Sequence, residues 1–155
     1  MQMTEGEKVK ISTKGRYGLR AYIDLAEHWE NEPVSISSIS ARQDISERYL
    51  EQLMAKLKKA GLVKSVRGAG GGYMLAMEAS QISVGDVLRA LEGSLETVTC
   101  AAFHPEEICA VKDSCVTKYV WQKVNESVAE AVDSIMIDTL VEKRRSAGKE
   151  EKKHE

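Results

Sequence analysis

The stretch SERYLEQLMAKLKKAG, residues 46–61, constrains the fold more than any other. Leu50, Leu53, Met54 and Leu57 keep the i, i+3, i+4, i+7 spacing that puts them on one face of a helix. Ser46 suits the N-cap, Ile45 before it can pack onto Leu50, and Gly61 supplies a left-handed exit. Away from the apolar stripe lie Arg48, Gln52, Ala55 and Lys59, with Glu51 on the flank and Tyr49 beside it. Arg and Gln are the side chains that read base edges bidentately, and a small Ala lets a helix approach a groove wall. Just upstream, Ser35 to Arg42 reads as a second short helix carrying Ile36 and Ile39, and Gln43, Asp44 and Ile45 form the turn between the two. Helix, tight turn and helix with a polar outer face is a helix-turn-helix pattern. An ordinary αα-hairpin with a solvated face has the same pattern, so the next segment matters.

That segment is LVKSVRGAGGGYML, residues 62–75. Two short apolar runs around a Gly-rich loop predict a β-hairpin. A nucleotide-binding loop fails on spacing, because Tyr73 stands where the third Gly of GxGxxG belongs. It also fails on context, because no helix N-terminus follows to face a phosphate. A hairpin directly after a recognition helix is a wing. Gly70 at its tip allows close approach to the sugar-phosphate backbone, Arg67 can enter a minor groove, and Lys64 suits a backbone contact.

Lys14 to Glu30 reads as a helix with Tyr22, Leu25, Ala26 and Trp29 on one stripe, after a polar leader over Met1–Glu7 and a short entry from Lys8. Lys14, Arg16 and Arg20 crowd its first turns, where cations oppose the helix dipole at a cost of a few tenths of a kcal/mol each. A phosphate neighbour would remove the conflict, and simple solvent exposure would account for the placement equally well. Ser83 to Leu91 is a further helix, with a Ser83–Asp86 capping box and a stripe of Val84, Val87, Leu88 and Leu91.

The net charge is −2, but it is unevenly spread. Residues 8–73 hold twelve Lys or Arg against seven Asp or Glu, and residues 74–155 hold ten against fifteen. That asymmetry points to one half facing nucleic acid. No apolar run approaches the roughly 18 residues of a membrane span, and the N-terminus has no apolar signal region. A cytoplasmic chain is expected, with no membrane and no small-molecule substrate.

Composition changes at Thr97. The stretch to Ser114 has no period, and Cys100, Cys109 and Cys115 follow a C-x8-C-x5-C spacing. Structural zinc normally uses a close cysteine pair, which is absent. Three thiolates can wrap an iron–sulfur cluster, which wants four ligands, with His104, Glu106, Glu107, Asp113 or a residue from a partner chain as candidates for the fourth. Three unliganded cysteines, with Cys109 and Cys115 oxidising together, would fit the spacing as well. A thiol redox enzyme is disfavoured by the absence of C-x-x-C and of any pocket motif. From Cys115 to Val141 a single long helix is expected, with Val120, Val124, Val128, Ala131 and Ile135 on one side. At 1.5 Å per residue it would reach roughly 40 Å, enough to pair with a second chain. Glu142–Glu155 reads as a disordered charged tail.

KISTKGRYGLRA, SERYLEQLMAKLKKAGLVKSVRGAGGGYML, ISVGDVLRALEG and the spaced cysteines closely resemble the winged-helix repressor family that contains the iron–sulfur regulator IscR, the nitric-oxide sensor NsrR and the cysteine-metabolism repressor CymR. The resemblance runs from Lys10 to Val141. It implies a mainly α fold with a small hairpin wing: a winged helix-turn-helix domain over residues 8–95, a cluster-binding loop over 96–114, a dimerisation helix over 115–141 and a tail over 142–155. It implies a homodimeric repressor on a palindromic DNA operator, tuned by a [2Fe–2S] cluster on Cys100, Cys109 and Cys115 and controlling cluster-assembly genes. The helix at Ser46–Ala60 would lie in the major groove and Arg67 in the minor groove. IscR-like members place a His three residues after the last cysteine; here Lys118 stands there, which leaves the fourth ligand open. A cluster-free regulator of cysteine metabolism and a nitric-oxide or redox sensor are the alternatives on the same fold.

Overall fold

The structure, a computed structural model, describes residues 11–153. The leader over Met1–Glu7, the start of the entry at Lys8 and the last two residues of the tail lie outside the described residues. The elements are α1 (Thr13–His28), α2 (Ile36–Gln43), α3 (Glu47–Lys59), β1 (Val63–Val66), β2 (Gly72–Leu75), α4 (Val84–Glu92), α5 (Lys118–Asp133) and α6 (Ile137–Lys153), with a short 3-10 turn over Ala79–Gln81. The architecture is mainly α with one small antiparallel hairpin, in the winged-helix arrangement.

The helix-turn-helix forms for the local reasons its sequence suggests. Ser35 Oγ accepts from Ser38 N at 3.2 Å to start α2, and Ser46 Oγ accepts from Tyr49 N at 3.3 Å to start α3. Leu50, Leu53, Met54 and Leu57 are buried, and Gly61 leaves α3 with φ +78°. The turn is one residue shorter than expected, because Gln43 continues α2. Its buried amide donates to Asp24 Oδ2 at 2.8 Å, which holds it in the helix. Asp44 then makes the left-handed exit, with φ 54°.

The core gathers Ala21, Tyr22 and Leu25 of α1, Ile39 of α2, the stripe of α3, and Val84, Val87, Leu88 and Leu91 of α4. Trp29 follows the end of α1 and is only half-buried against this core. The hairpin pairs Val63 with Leu75 and Val66 with Gly72. A third segment joins it at one point, where Val34 and Tyr73 exchange backbone hydrogen bonds of 2.8 Å each.

The C-terminal third departs from the sequence expectation. The single helix expected over 115–141 is two helices, broken at Ser134–Met136. Ile135 O accepts from Val84 N at 2.8 Å and Ile137 N donates to Ile82 O at 2.9 Å, so the backbone groups at the break bond to the approach to α4. Ile137 and Val141 then turn into the core. The expected disordered tail is helical as far as Lys153. Arg144 Nε reaches Glu27 Oε2 at 2.7 Å and Arg145 Nη2 donates to Glu27 O at 3.1 Å, so charges that read as solvated are tied to α1.

Helix α5 has no fully buried residue. It is tied to α4 by the bidentate pair of Arg89 and Asp133, at 2.7 and 2.9 Å. Val116 just before it is 72% exposed, and Tyr119, Val120 and Val124 on it are 63%, 51% and 37% exposed. No described helix is long and apolar enough to cross a membrane.

Candidate DNA-binding face and cysteine loop

Arg48, Glu51, Gln52, Ala55 and Lys59 are all exposed, so the outer face of α3 is the polar face expected. Lys56, Lys58 and Lys59 close its last turn, where cations complement the helix dipole. Lys58 Nζ donates to Ser65 Oγ at 2.8 Å and ties α3 to the wing. Glu51 lies close enough to Tyr73 that burial, and then the Glu51 charge, hold that phenol above its ordinary pKa. Tyr49 is placed differently from its neighbours. Its ring is half-buried, stands edge-on to Tyr17 with centroids 6.2 Å apart, and carries its hydroxyl 3.5 Å from Thr13 Oγ1. Tyr49 therefore packs the start of α3 against the start of α1.

Lys14 and Arg16 are exposed at that same end of α1. The Arg16 guanidinium lies 5.9 Å from the Tyr17 ring centroid and that of Arg20 lies 5.4 Å from it. Arg20 also donates to Gln43 O at 2.5 Å. The dipole conflict expected of these cations is met inside the protein. Glu92 Oε1 accepts from Ser12 N at 2.9 Å, from Ser12 Oγ at 2.6 Å and from Gly15 N at 2.9 Å. A carboxylate at a helix N-terminus is favourable, so no external phosphate is needed to explain the crowding.

On the wing, Lys64, Arg67 and Gly70 are exposed, and neither cation makes an ion pair with another described residue. Behind the helix-turn-helix, Asp24 is fully buried and charged neighbours surround it. Arg42 donates to it through Nε and Nη2, at 2.7 to 3.1 Å, and Arg144 Nη2 stands 3.7 Å away. A buried carboxylate needs such partners, and these tie α1, α2 and α6 together.

The loop between α4 and α5 has no regular element. Its start is held to α5, where Asn125 Oδ1 accepts from Thr97 N and Thr97 Oγ1, both at 2.9 Å. Cys100 and Cys115 are half-buried, Cys109 is exposed, and all three are free thiols. Thr117 Oγ1 lies 2.9 Å from Cys115 Sγ. Hydrogen bonds from the Thr117 side chain and backbone, with Lys118 adding to them, hold that thiol below its ordinary pKa. His104 Nε2 lies 2.6 Å from Glu96 Oε2 and its Nδ1 lies 3.3 Å from Glu106 Oε1. The Glu96 hydrogen bond, and then the two charges, push the imidazole up. Among the described residues, no three Cys, His, Asp or Glu side chains converge as a metal site would require.

Residues 11–143 match the family model of Rrf2, iron-dependent transcriptional regulators. This chain is an Rrf2-family regulator. It is 40% identical over 133 residues to the HTH-type transcriptional regulator IscR of Pectobacterium atrosepticum, covering 86% of this chain and 79% of that one. The IscR of Vibrio atlanticus is 41% identical over 133 residues, with 86% and 75% covered. Among solved structures, T. potens IscR is similar with a TM-score of 0.70 and 48% identity, over 89% of this chain and 90% of that one. CymR, the global cysteine regulator of B. subtilis, is similar with a TM-score of 0.69 and 41% identity, over 86% and 96%.

The Rrf2 regulator is thus a DNA-binding transcription regulator and not an enzyme. Its exposed candidates at α1, α3 and the wing stand on elements tied directly to one another, while its three cysteines and His104 remain spread along one loop. Three parts of this site escaped the sequence: Glu92 at the start of α1, Lys58 as the link to the wing, and Tyr17 beneath Tyr49. Only Lys58 carried a signal, in the basic run KLKK.

Proposed function

We propose that this regulator represses transcription as a homodimer on a palindromic operator in the cytoplasm, and that a [2Fe–2S] cluster on Cys100, Cys109 and Cys115 tunes the binding. The genes controlled would be those of iron–sulfur cluster assembly. The observation that carries the proposal is the set of three free thiols on one irregular loop between a helix of the DNA-binding domain and α5, a helix that exposes Tyr119, Val120 and Val124. The names of the IscR relatives support it.

The donor chemistry fits the group, since iron–sulfur clusters are held by thiolates and Cys115 is already poised toward that form. The loop must close to bring the thiols together. A cluster, when bound, supplies an iron centre that responds to iron supply and oxidants. His104 can complete the set only by giving up a carboxylate partner, since the imidazolium has no lone pair to donate. Toward DNA, the exposed face of α3 enters the major groove, with Arg48 and Gln52 on base edges and Glu51 rejecting sites that cannot donate to it. Arg67 enters the flanking minor groove, while Lys14, Arg16, Lys59 and Lys64 meet phosphates. Val116, Tyr119, Val120, Val124 and Val128 form the dimer seam.

The test is anaerobic purification followed by iron, acid-labile sulfide and visible absorption. A coloured protein with about two irons per chain is expected, and each Cys→Ala change should remove the colour while the winged domain stays folded. An iron-free, colourless protein that still binds DNA would overturn the cluster. It would favour the second reading, control of cysteine metabolism, for which the likeness to CymR speaks.

A further inference from the structure

Glu92 is the last residue of α4, where a carboxylate opposes the dipole of its own helix. Its function is therefore to be sought in what it touches, which is the first turn of α1. One oxygen, Oε1, takes three hydrogen bonds there: the N-cap amide of Ser12, the Ser12 hydroxyl and the Gly15 amide. The hydroxyl that donates to Glu92 also accepts from Lys14 N at 3.2 Å. The approach is so close that a Cβ at Gly15 would stand 2.5 Å from Glu92 Oε1. Gly18, one turn on, makes similar room for Leu91 of α4. The two helices are thus keyed together at one end, and the key lies under the two exposed cations Lys14 and Arg16.

On its other side Glu92 is followed by Gly93 and the cysteine loop, whose start is tied to α5 through Thr97 and Asn125. Glu92 is therefore the last helical residue before the cysteine loop, and its side chain reaches back to the end of α1 that carries Lys14 and Arg16. We propose that Glu92 is a positioning residue for DNA binding: it holds the start of α1 so that Lys14 and Arg16 meet the phosphate backbone. This rests on the assignment of Lys14 and Arg16 as phosphate contacts.

The experiment uses the full chain and a fluorescein-labelled duplex of mixed sequence, because non-specific binding isolates phosphate contacts. Affinity is measured by anisotropy across a salt series for the parent, Glu92→Ala, Glu92→Gln, the double change Lys14→Ala with Arg16→Ala, and the latter combined with Glu92→Ala. Loss of the two cations should weaken binding and flatten the salt slope by about one per lost contact. Glu92→Ala should flatten the slope in the same way, although Glu92 carries no positive charge. Glu92→Gln, which keeps an acceptor oxygen of the same reach, should restore most of the affinity and the slope. The combined variant should be no weaker than the two-cation variant. A general loss of fold would lower affinity without this match in slope, and thermal melting of Glu92→Gln guards against it. If the two-cation variant binds as the parent does, the phosphate assignment fails and the proposal with it. If that variant weakens binding but Glu92→Ala does not, or the losses simply add, the phosphate contacts stand and the positioning role is overturned.

Discussion

Gly72→Ala should loosen the wing, and the structure sets the size of the effect. A Cβ at Gly72 would lie 2.2 Å from Val34 O, 2.5 Å from Val34 C and 2.9 Å from Ser35 N. All three are backbone atoms, and none can swing aside as a side chain can. Relief requires β2 to draw away from Val34, which breaks the two 2.8 Å bonds that Val34 and Tyr73 exchange. Each is worth about 0.5–1.5 kcal/mol net, so a loss near 2 kcal/mol is expected. In a chain of this size that lowers Tm by roughly 4–8 °C. Hydrogen exchange should locate the damage at the amides of Val34 and Tyr73. Gly70→Ala is the control. A Cβ at Gly70 would meet nothing within 4 Å, so the cost there is confined to its left-handed φ of +78°, about 1–2 kcal/mol, without a change at those amides. If Gly72→Ala leaves the protection of Val34 and Tyr73 unchanged, the close approach does not exist in solution and the anchoring of the wing is wrong.

Other changes bear on the binding face and the dimer. Arg67→Ala should weaken binding to a selected duplex by about 1–3 kcal/mol and relax preference near the wing, as read by gel shift; an unchanged preference removes Arg67 from the minor groove. Ala substitutions of Arg48, Glu51 or Gln52 should alter binding to the selected duplex more than to a scrambled one, and equal losses on both would show that they do not read bases. Replacing Val124 and Val128 with Asp would bury charge in the proposed seam, so light scattering should report a monomer; a persisting dimer would move the interface elsewhere. Asp133 is held below its ordinary pKa by its hydrogen bonds from Arg89. Its contribution is therefore present above the unfolded carboxylate pKa and lost as pH falls through the lower folded value, so Asp133→Asn should flatten the acid limb of a stability–pH curve; an unaltered limb would show that the pair adds nothing.

The parts of the molecule legible in the sequence are those whose causes lie within a few residues. Ser46 caps α3, its stripe keeps the helical period, and the Gly-rich turn closes the hairpin, so each could be read locally. The break at Ser134–Met136 could not, because it is made by hydrogen bonds to Ile82 and Val84, about fifty residues earlier. Nor could the helix that replaces the expected tail, since Arg144 and Arg145 find their partner in Glu27 of α1. Glu92 looked like an ordinary helix residue, because its role depends on Ser12 and Gly15 at the other end of the domain. At the cysteines, composition indicated the donors and left their convergence open, and the described loop holds them apart.

The central claim is that the cysteine loop tunes what α3 and the wing bind. The direct measurement is a pair of anaerobic anisotropy titrations on one duplex, selected by the protein from a random pool, with the cluster-loaded protein and with the Cys100→Ala, Cys109→Ala, Cys115→Ala triple variant. Two isotherms clearly separated in midpoint are expected, at equal Tm of the winged domain. Coincident isotherms, from a loaded protein verified for iron and sulfide, would contradict the account.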